Sequence, residues 1–221
     1  MPGSRLTGQD EYARARRRMV ERLASRGVKD PRVLAALEEV PRHRLIPEAL
    51  HGQAYQDTAL PIGAGQTISA PSVVAAMTEA LALEGTETLL EVGTGSGYQA
   101  AVLSRLVERV ISIERLPKLA AAARSGLDRL GVTNVVVHLG DGTAGRCQDA
   151  PYDAIVVTAG GPEPPRPLLD QLAPGGRLVG PFGARNEQEL LRVRAAPQGF
   201  QREVIGRCRF VDLVGAHGWA A

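Results

Sequence analysis

The spacing of apolar residues changes along this chain, and each change marks a predicted element. Residues 11–26 place Tyr12, Met19, Val20 and Leu23 on one stripe of a 3.6-residue repeat, and Gly27 follows as a stop. That spacing predicts an amphipathic helix, with the residues up to about Asp10 frayed. Asp30-Pro31 then supplies a capping side chain and a proline for the first helical position. Val33, Leu34, Leu37 and Val40 make the apolar face of a second helix, ended by Pro41. Residues 47–65 follow neither period and are expected to form a loop region. Ser69-Ala70-Pro71 opens a third helix with Val73, Val74, Met77, Ala80 and Leu81 inward, so Ser69 is expected at or next to its cap.

Beyond that point short apolar runs alternate with helical patterns. Strands are predicted at 89–92, 109–114, 134–138 and 154–158, with another beginning at 177–179. Helices are predicted from 98 to about 107, over 117–130 with Gly131 as the stop, and around 168–172. Residues 189–195 and 200–211, split by Pro197-Gln198-Gly199, read as a closing antiparallel pair. Alternation of this kind predicts an α/β fold: an open, mainly parallel sheet with helices on both faces. Its ligand should sit at the carboxyl ends of the strands. The 221 residues suit one domain spanning 1–221, with 1–50 as an N-terminal helical extension and 51–221 as the core.

Composition narrows the function classes. The formal net charge is +2, which implies no polyanionic partner, and Arg14, Arg16, Arg17 and Arg18 read as a solvated helix face. Cys147 and Cys208 have no CxxC partner and read as free thiols of a reducing compartment. His43, His51, His138 and His217 show no metal-ligand spacing, so no metal site is expected. Without a signal peptide or a long apolar span, a cytoplasmic protein off the membrane is expected.

The chemistry concentrates in Leu89-Leu90-Glu91-Val92-Gly93-Thr94-Gly95-Ser96-Gly97-Tyr98. An apolar run ends in an acid, and three glycines then lead into a helix. Glycine permits the tight strand-to-helix turn and lets a ligand approach bare backbone, while the helix aims free N–H groups at it. The next strand ends in Glu114, about twenty residues past the first glycine, where a carboxylate can accept both hydroxyls of a ribose. An adenosine-bearing cofactor is therefore expected. A dinucleotide fingerprint needs its third glycine where Tyr98 stands. Gly93, Gly95 and Gly97 behind Glu91 resemble motif I of S-adenosylmethionine-dependent methyltransferases. An acid before the loop suits an ammonium and a sulfonium and would repel a pyrophosphate.

The chain further resembles the protein-L-isoaspartate O-methyltransferase family from Tyr55 to Trp219. The block Gly65-Gln66-Thr67-Ile68-Ser69 is the most particular to that family; Gly140-Asp141-Gly142, Tyr152 to Ala159 and Phe210-Val211-Asp212-Leu213-Val214 continue it. The resemblance implies a Rossmann-like methyltransferase fold and a protein-repair activity. S-adenosylmethionine would donate a methyl to the α-carboxylate of isoaspartyl residues in proteins and peptides, leaving S-adenosylhomocysteine, and the ester would collapse to succinimide. Carried over by position, Gln66, Thr67, Ile68, Glu91, Gly93, Gly95, Gly97, Glu114, Arg115, Asp141 and Gly142 would hold the cofactor, with Asp141 near the adenine amino group. Ser69 would face the methyl-transfer centre and, with Ala70 and Val214, the substrate. A monomer that binds no nucleic acid is expected. Two positions depart from the family's pattern: Ser72, where histidine or tyrosine is frequent, and Asp212, where proline is common. Competing readings are a methyltransferase of the same fold acting on a biosynthetic aspartyl peptide or small acid, a nicotinamide oxidoreductase, and a cofactor-binding module without catalysis.

Overall fold

The computed structural model describes residues 8–220. Helices α1 (Gly8–Ser25) and α2 (Pro31–Glu39) come first. Gly8 to Asp10 already belong to α1, where the sequence suggested fraying; residues 1–7 lie outside the described part. Asp30 caps α2 by accepting the Arg32 amide at 2.8 Å, with Pro31 at the first position as its missing N–H predicts. Arg14, Arg17 and Arg18 are exposed, but Arg16 is half-buried and its Nε is out of contact with water, so the basic run is not uniformly solvated.

The stretch 47–65 departs from the loop expectation. A 3₁₀ turn, Glu48–Gln53, leads to a hairpin of β1 (Leu60–Gly63) and β2 (Gln66–Ile68). Its turn is Ala64-Gly65, where both residues have positive φ, and strands this short escape a period-2 reading. Helix α3 (Pro71–Ala80) follows.

The main sheet begins with β3 (Thr88–Val92), then α4 (Tyr98–Leu103), β4 (Arg109–Glu114), α5 (Pro117–Arg129) and β5 (Val135–Leu139). Next come β6 (Tyr152–Val157), α6 (Arg166–Asp170), β7 (Leu172–Ala184), β8 (Glu187–Ala196) and β9 (Gly199–Cys208). Helix α4 is shorter than expected because its last turns, up to Val107, loosen before β4. In space the strands run β5-β4-β3-β6-β7-β8-β9. The first five are parallel; β8 and β9 return antiparallel through two-residue turns, which keeps them adjacent. The order reverses between β3 and β6, and at such a switch point a crevice opens above the strand ends.

Three apolar clusters fill the two faces of the sheet. One joins Met19, Leu23, Val33 and Leu37 of α1 and α2 to Tyr98, Val102 and Leu127 of α4 and α5. The N-terminal helices therefore share a core with the helix that starts at the glycine loop. Arg42, completely buried between them, places its guanidinium 4.9 Å from the centre of the Tyr98 ring and donates to the Ala54 carbonyl at 2.8 Å.

Candidate active site

At the carboxyl end of β3 the chain turns over Gly93, whose φ is +98°. A side chain there would run into Thr158 Oγ1, which lies directly beneath, 3.0 Å from the Val92 carbonyl and 2.5 Å from that of Gly93. Only glycine fits this close approach. The Gly93 amide is tied to the Ile113 carbonyl of β4 at 2.8 Å, so neighbouring strands fix the loop. Gly97, with φ +82°, caps α4 behind the loop and packs against α5.

Glu114 ends β4 and is 6 % exposed. Its Oε2 accepts the Gly95 amide and its Oε1 the Leu116 amide, each at 2.9 Å. A carboxylate offers about four lone-pair sites, so two remain for a diol. The glycine loop and the acid thus form one prearranged unit.

Glu91 lies elsewhere than the sequence suggested. It is wholly buried and takes no part in the cleft wall, because its side chain leaves β3 on the face opposite that of Val92, which does line the cleft. Ser112 Oγ donates to Glu91 Oε2, and Thr94 Oγ1 lies 2.6 Å from the same Ser112 hydroxyl. The other carboxyl oxygen, Oε1, has no partner. Burial pushes the Glu91 carboxyl up to about 8, against the Ser112 hydrogen bond and helped by the Glu114 charge.

Ser69 follows β2 and precedes the N-cap of α3, which is Ala70. Pro71 has no N–H, and the Ser72 amide is accepted by Asp57 Oδ1 at 2.9 Å. The capping task that sequence spacing offered to Ser69 is thus taken by a distant carboxylate, and Ser69 lines the cleft, half-buried. Ala70 sits behind it, outside the wall.

The cleft opens to solvent, and the space within it, its open mouth included, is about 810 Å³. Of the residues expected from sequence, Gln66, Thr67, Ile68 and Ser69 line one side, and Gly93, Gly95, Glu114 and Arg115 another. Gly142 and Val214 complete the wall, whereas Glu91, Gly97, Ala70 and Asp141 do not reach it. Asp141 accepts the Thr143 amide and hydroxyl at 2.8 and 2.7 Å and the Ala216 amide at 2.7 Å. Burial works against its ionisation, but these hydrogen bonds outweigh it and hold the carboxyl below its ordinary value. Sequence reasoning missed Leu116, Leu119 and Thr158 as wall residues, and Asp212, noted as a departure from the family's pattern in the tail, lines the wall as well. Thr158 could have been found from its place at the end of β6, beside the switch point. Among the described residues no group of three acidic, histidine or cysteine side chains is arranged to hold a metal.

The family model described as Protein-L-isoaspartate(D-aspartate) O-methyltransferase matches residues 14–218. The chain belongs to this family. A protein-L-isoaspartate O-methyltransferase of Syntrophobacter fumaroxidans is 56 % identical over 209 residues, covering 94 % of this chain and 98 % of its own length. A solved protein-L-isoaspartate O-methyltransferase superposes with a TM-score of 0.83 at 30 % identity, over 92 % of this chain and 67 % of that one. The Plasmodium falciparum structure assigned to the same enzyme, in complex with S-adenosyl-L-homocysteine, gives 0.78 at 26 %, over 90 % and 98 %. The open α/β sheet expected from the alternating pattern and the methyltransferase fold that the resemblance implied are thus the observed ones. The mainly parallel sheet and the closing antiparallel pair of this family member both match.

Proposed function

We propose that this cleft transfers a methyl group from S-adenosylmethionine to the α-carboxylate of L-isoaspartyl residues in damaged proteins and peptides, which initiates repair through succinimide. The observation that carries the reading is the seat of Ser69: a hydroxyl released from capping, on the cleft wall across from a glycine loop locked to Glu114. The residues present fit the cofactor. Glu114 keeps acceptor sites for a ribose, and the turn at Gly93 leaves bare backbone. Gly142 packs so tightly that a Cβ would sit 2.6 Å from Val92 Cγ1, which leaves a flat wall for a base.

When bound, S-adenosylmethionine supplies an electrophilic methyl on a sulfonium. The remaining work falls to the chain. An isoaspartyl α-carboxylate is ionised at neutral pH, with an ordinary pKa of about 3.3–3.7, so no general base is needed. Ser69 Oγ donates to one carboxylate oxygen and aims the other into the cleft. It acts as an orienting group and not as a nucleophile. Val214 and its neighbours hold the peptide backbone from the far side. Ile68, Val92 and Leu213 are buried apolar residues in the wall, and they exclude water where opposite charges meet. Alignment of two bound reactants can supply about 7–11 kcal/mol, which suits so sparse a site.

The enzyme is read as cytoplasmic, for which its two unpaired cysteines argue, and as a monomer, which light scattering tests. The deciding assay compares methyl transfer to matched isoaspartyl and aspartyl peptides. Strong preference for the isoaspartyl peptide is expected. Equal rates would move the assignment to a methyltransferase of aspartyl carboxylates.

A further inference from the structure

We propose that Asp141 is a positioning residue for the peptide side of the cleft: its carboxylate ties the turn after β5 to the C-terminal segment 211–219. The role rests on the substrate reading above only where peptide affinity is concerned; the tie itself is a matter of local structure.

The family resemblance implied a place for Asp141 near the adenine amino group. In the structure its oxygens are already engaged. Oδ1 accepts the Thr143 amide and hydroxyl, and Oδ2 accepts the Ala216 amide at 2.7 Å. Thr143 Oγ1 in turn accepts the His217 amide at 3.1 Å, so two successive amides of the C-terminal segment end on one Asp-Thr pair. Gly215 sits so close that a Cβ would fall on Asp141 Oδ1, so any side chain there must displace the carboxylate. Immediately before it, Val211 to Val214 line the cleft.

The far end of the segment is fixed separately. Trp219 Nε1 donates to the Gly160 carbonyl at 2.9 Å, and its amide donates to the Leu213 carbonyl at 2.7 Å. The Leu213 amide donates to the Gly160 carbonyl at 2.8 Å. The segment is therefore a strap pinned at Gly160 on β6's side and at Asp141 on β5's side. Gly142, next to Asp141, is itself cleft wall, so one short turn serves the cofactor side through its backbone and the peptide side through a carboxylate.

Two variants separate this role from a direct one toward the cofactor. Asp141→Asn turns an amide N–H₂ toward a backbone donor or loses one acceptor. Gly215→Ala leaves the carboxylate intact and pushes a methyl between it and the strap. Amide hydrogen exchange is measured on the ligand-free protein, S-adenosylhomocysteine affinity by calorimetry, and KM and kcat on an isoaspartyl peptide. In Gly215→Ala, exchange at Ala216 and His217 should quicken about tenfold, the equivalent of one lost charge-assisted hydrogen bond, while β3 and β4 amides stay protected. The peptide KM should rise about tenfold with kcat within about threefold, and S-adenosylhomocysteine affinity should hold within about threefold. Asp141→Asn should move exchange and KM in the same direction. Unchanged exchange at Ala216 and His217 in Gly215→Ala would overturn the proposal. So would a variant pair that weakens S-adenosylhomocysteine alone, which would return Asp141 to the cofactor. Quickened exchange in an enzyme whose wild type ignores isoaspartyl peptides would uphold the tie and sink the substrate assignment instead.

Discussion

Glu91→Gln should make the protein more stable at neutral pH, even though it alters the acid that opens the glycine motif. The carboxyl is wholly buried, one of its oxygens has no partner, and its folded pKa is pushed from an ordinary 4.5 up to about 8. Between those two values the folded protein keeps a proton that the unfolded chain has released. Stability from this group is therefore fully present below pH 4.5 and is lost as pH rises towards about 8. At about 1.4 kcal/mol per pH unit, the loss by pH 7 reaches roughly 3 kcal/mol as an upper figure. Glutamine has the same shape, does not titrate, and retains an oxygen for the Ser112 hydroxyl.

The expected gain is about 1–3 kcal/mol at pH 7 and close to zero at pH 4.5. For a chain of this size that is a rise of roughly 2–10 °C in Tm. Urea unfolding of both proteins at several pH values between 4.5 and 8.5 measures it. The gap should widen with pH and level off near the folded pKa. A gap that is the same at pH 4.5 and pH 8 would refute the reasoning. A glutamine variant less stable than wild type at pH 8 would refute it more strongly, since it would mean that an ionised Glu91 contributes favourable contacts.

Other predictions follow from the division of labour around the cleft. Ser69→Ala should lower the single-turnover methyl-transfer rate by about one to two decades, the equivalent of about 1–3 kcal/mol, with S-adenosylhomocysteine affinity and Tm nearly unchanged. A drop in Tm with an intact rate would make Ser69 structural. Asp57→Ala should do the reverse, costing about 1 kcal/mol of stability through the lost cap on α3; urea titration reads it, and an unchanged midpoint would remove the cap. Glu114→Ala should weaken S-adenosylhomocysteine binding by about 1.5–3 kcal/mol in calorimetry. It should also loosen the Gly95 and Leu116 amides, visible as faster exchange. Unchanged affinity would take Glu114 out of the site.

The centre of the sheet was legible because β3, β4 and β6 are buried along nearly their whole length and read as apolar runs; the closing pair, largely exposed in β9, was marked by the Pro197-Gln198-Gly199 turn. Residues 109–114 and the closing pair emerged almost at their observed bounds. The β1-β2 hairpin was not, since strands of four and three residues are too short to show a period. The glycine loop and Glu114, singled out from their spacing, line the cleft, and backbone geometry enforces that spacing. Glu91 and Asp141, singled out with them, do not reach its wall. Which way a side chain leaves the end of a strand, and whether a remote amide has already claimed it, are tertiary facts: Ser112 claims Glu91, and Ala216 claims Asp141. The same holds for Ser69, whose release depends on Asp57, twelve residues earlier in the bend before β1.

A reaction that needs neither a base nor a nucleophile leaves little for catalytic side chains to do. The demand moves to holding four distant segments in register: 66–69, 93–97, 114–116 and 211–214. Each is braced by a neighbour with a different task. Asp57 relieves Ser69 of capping, Thr158 seats the turn at Gly93, and Glu114 joins the loop to its own strand end. Behind them, Arg42 stacks on Tyr98 and couples the N-terminal helices to the residue that starts α4. The core shared by these helices and α4 means that loosening the extension would reach the glycine loop through Tyr98. Arg42 Nη1 and Tyr98 OH in this buttress are buried without partners, and desolvation raises the already neutral tyrosine further, to about 12. A buried cation against a neutral ring thus anchors the N-terminal helices to the start of α4 without an ionised partner of its own.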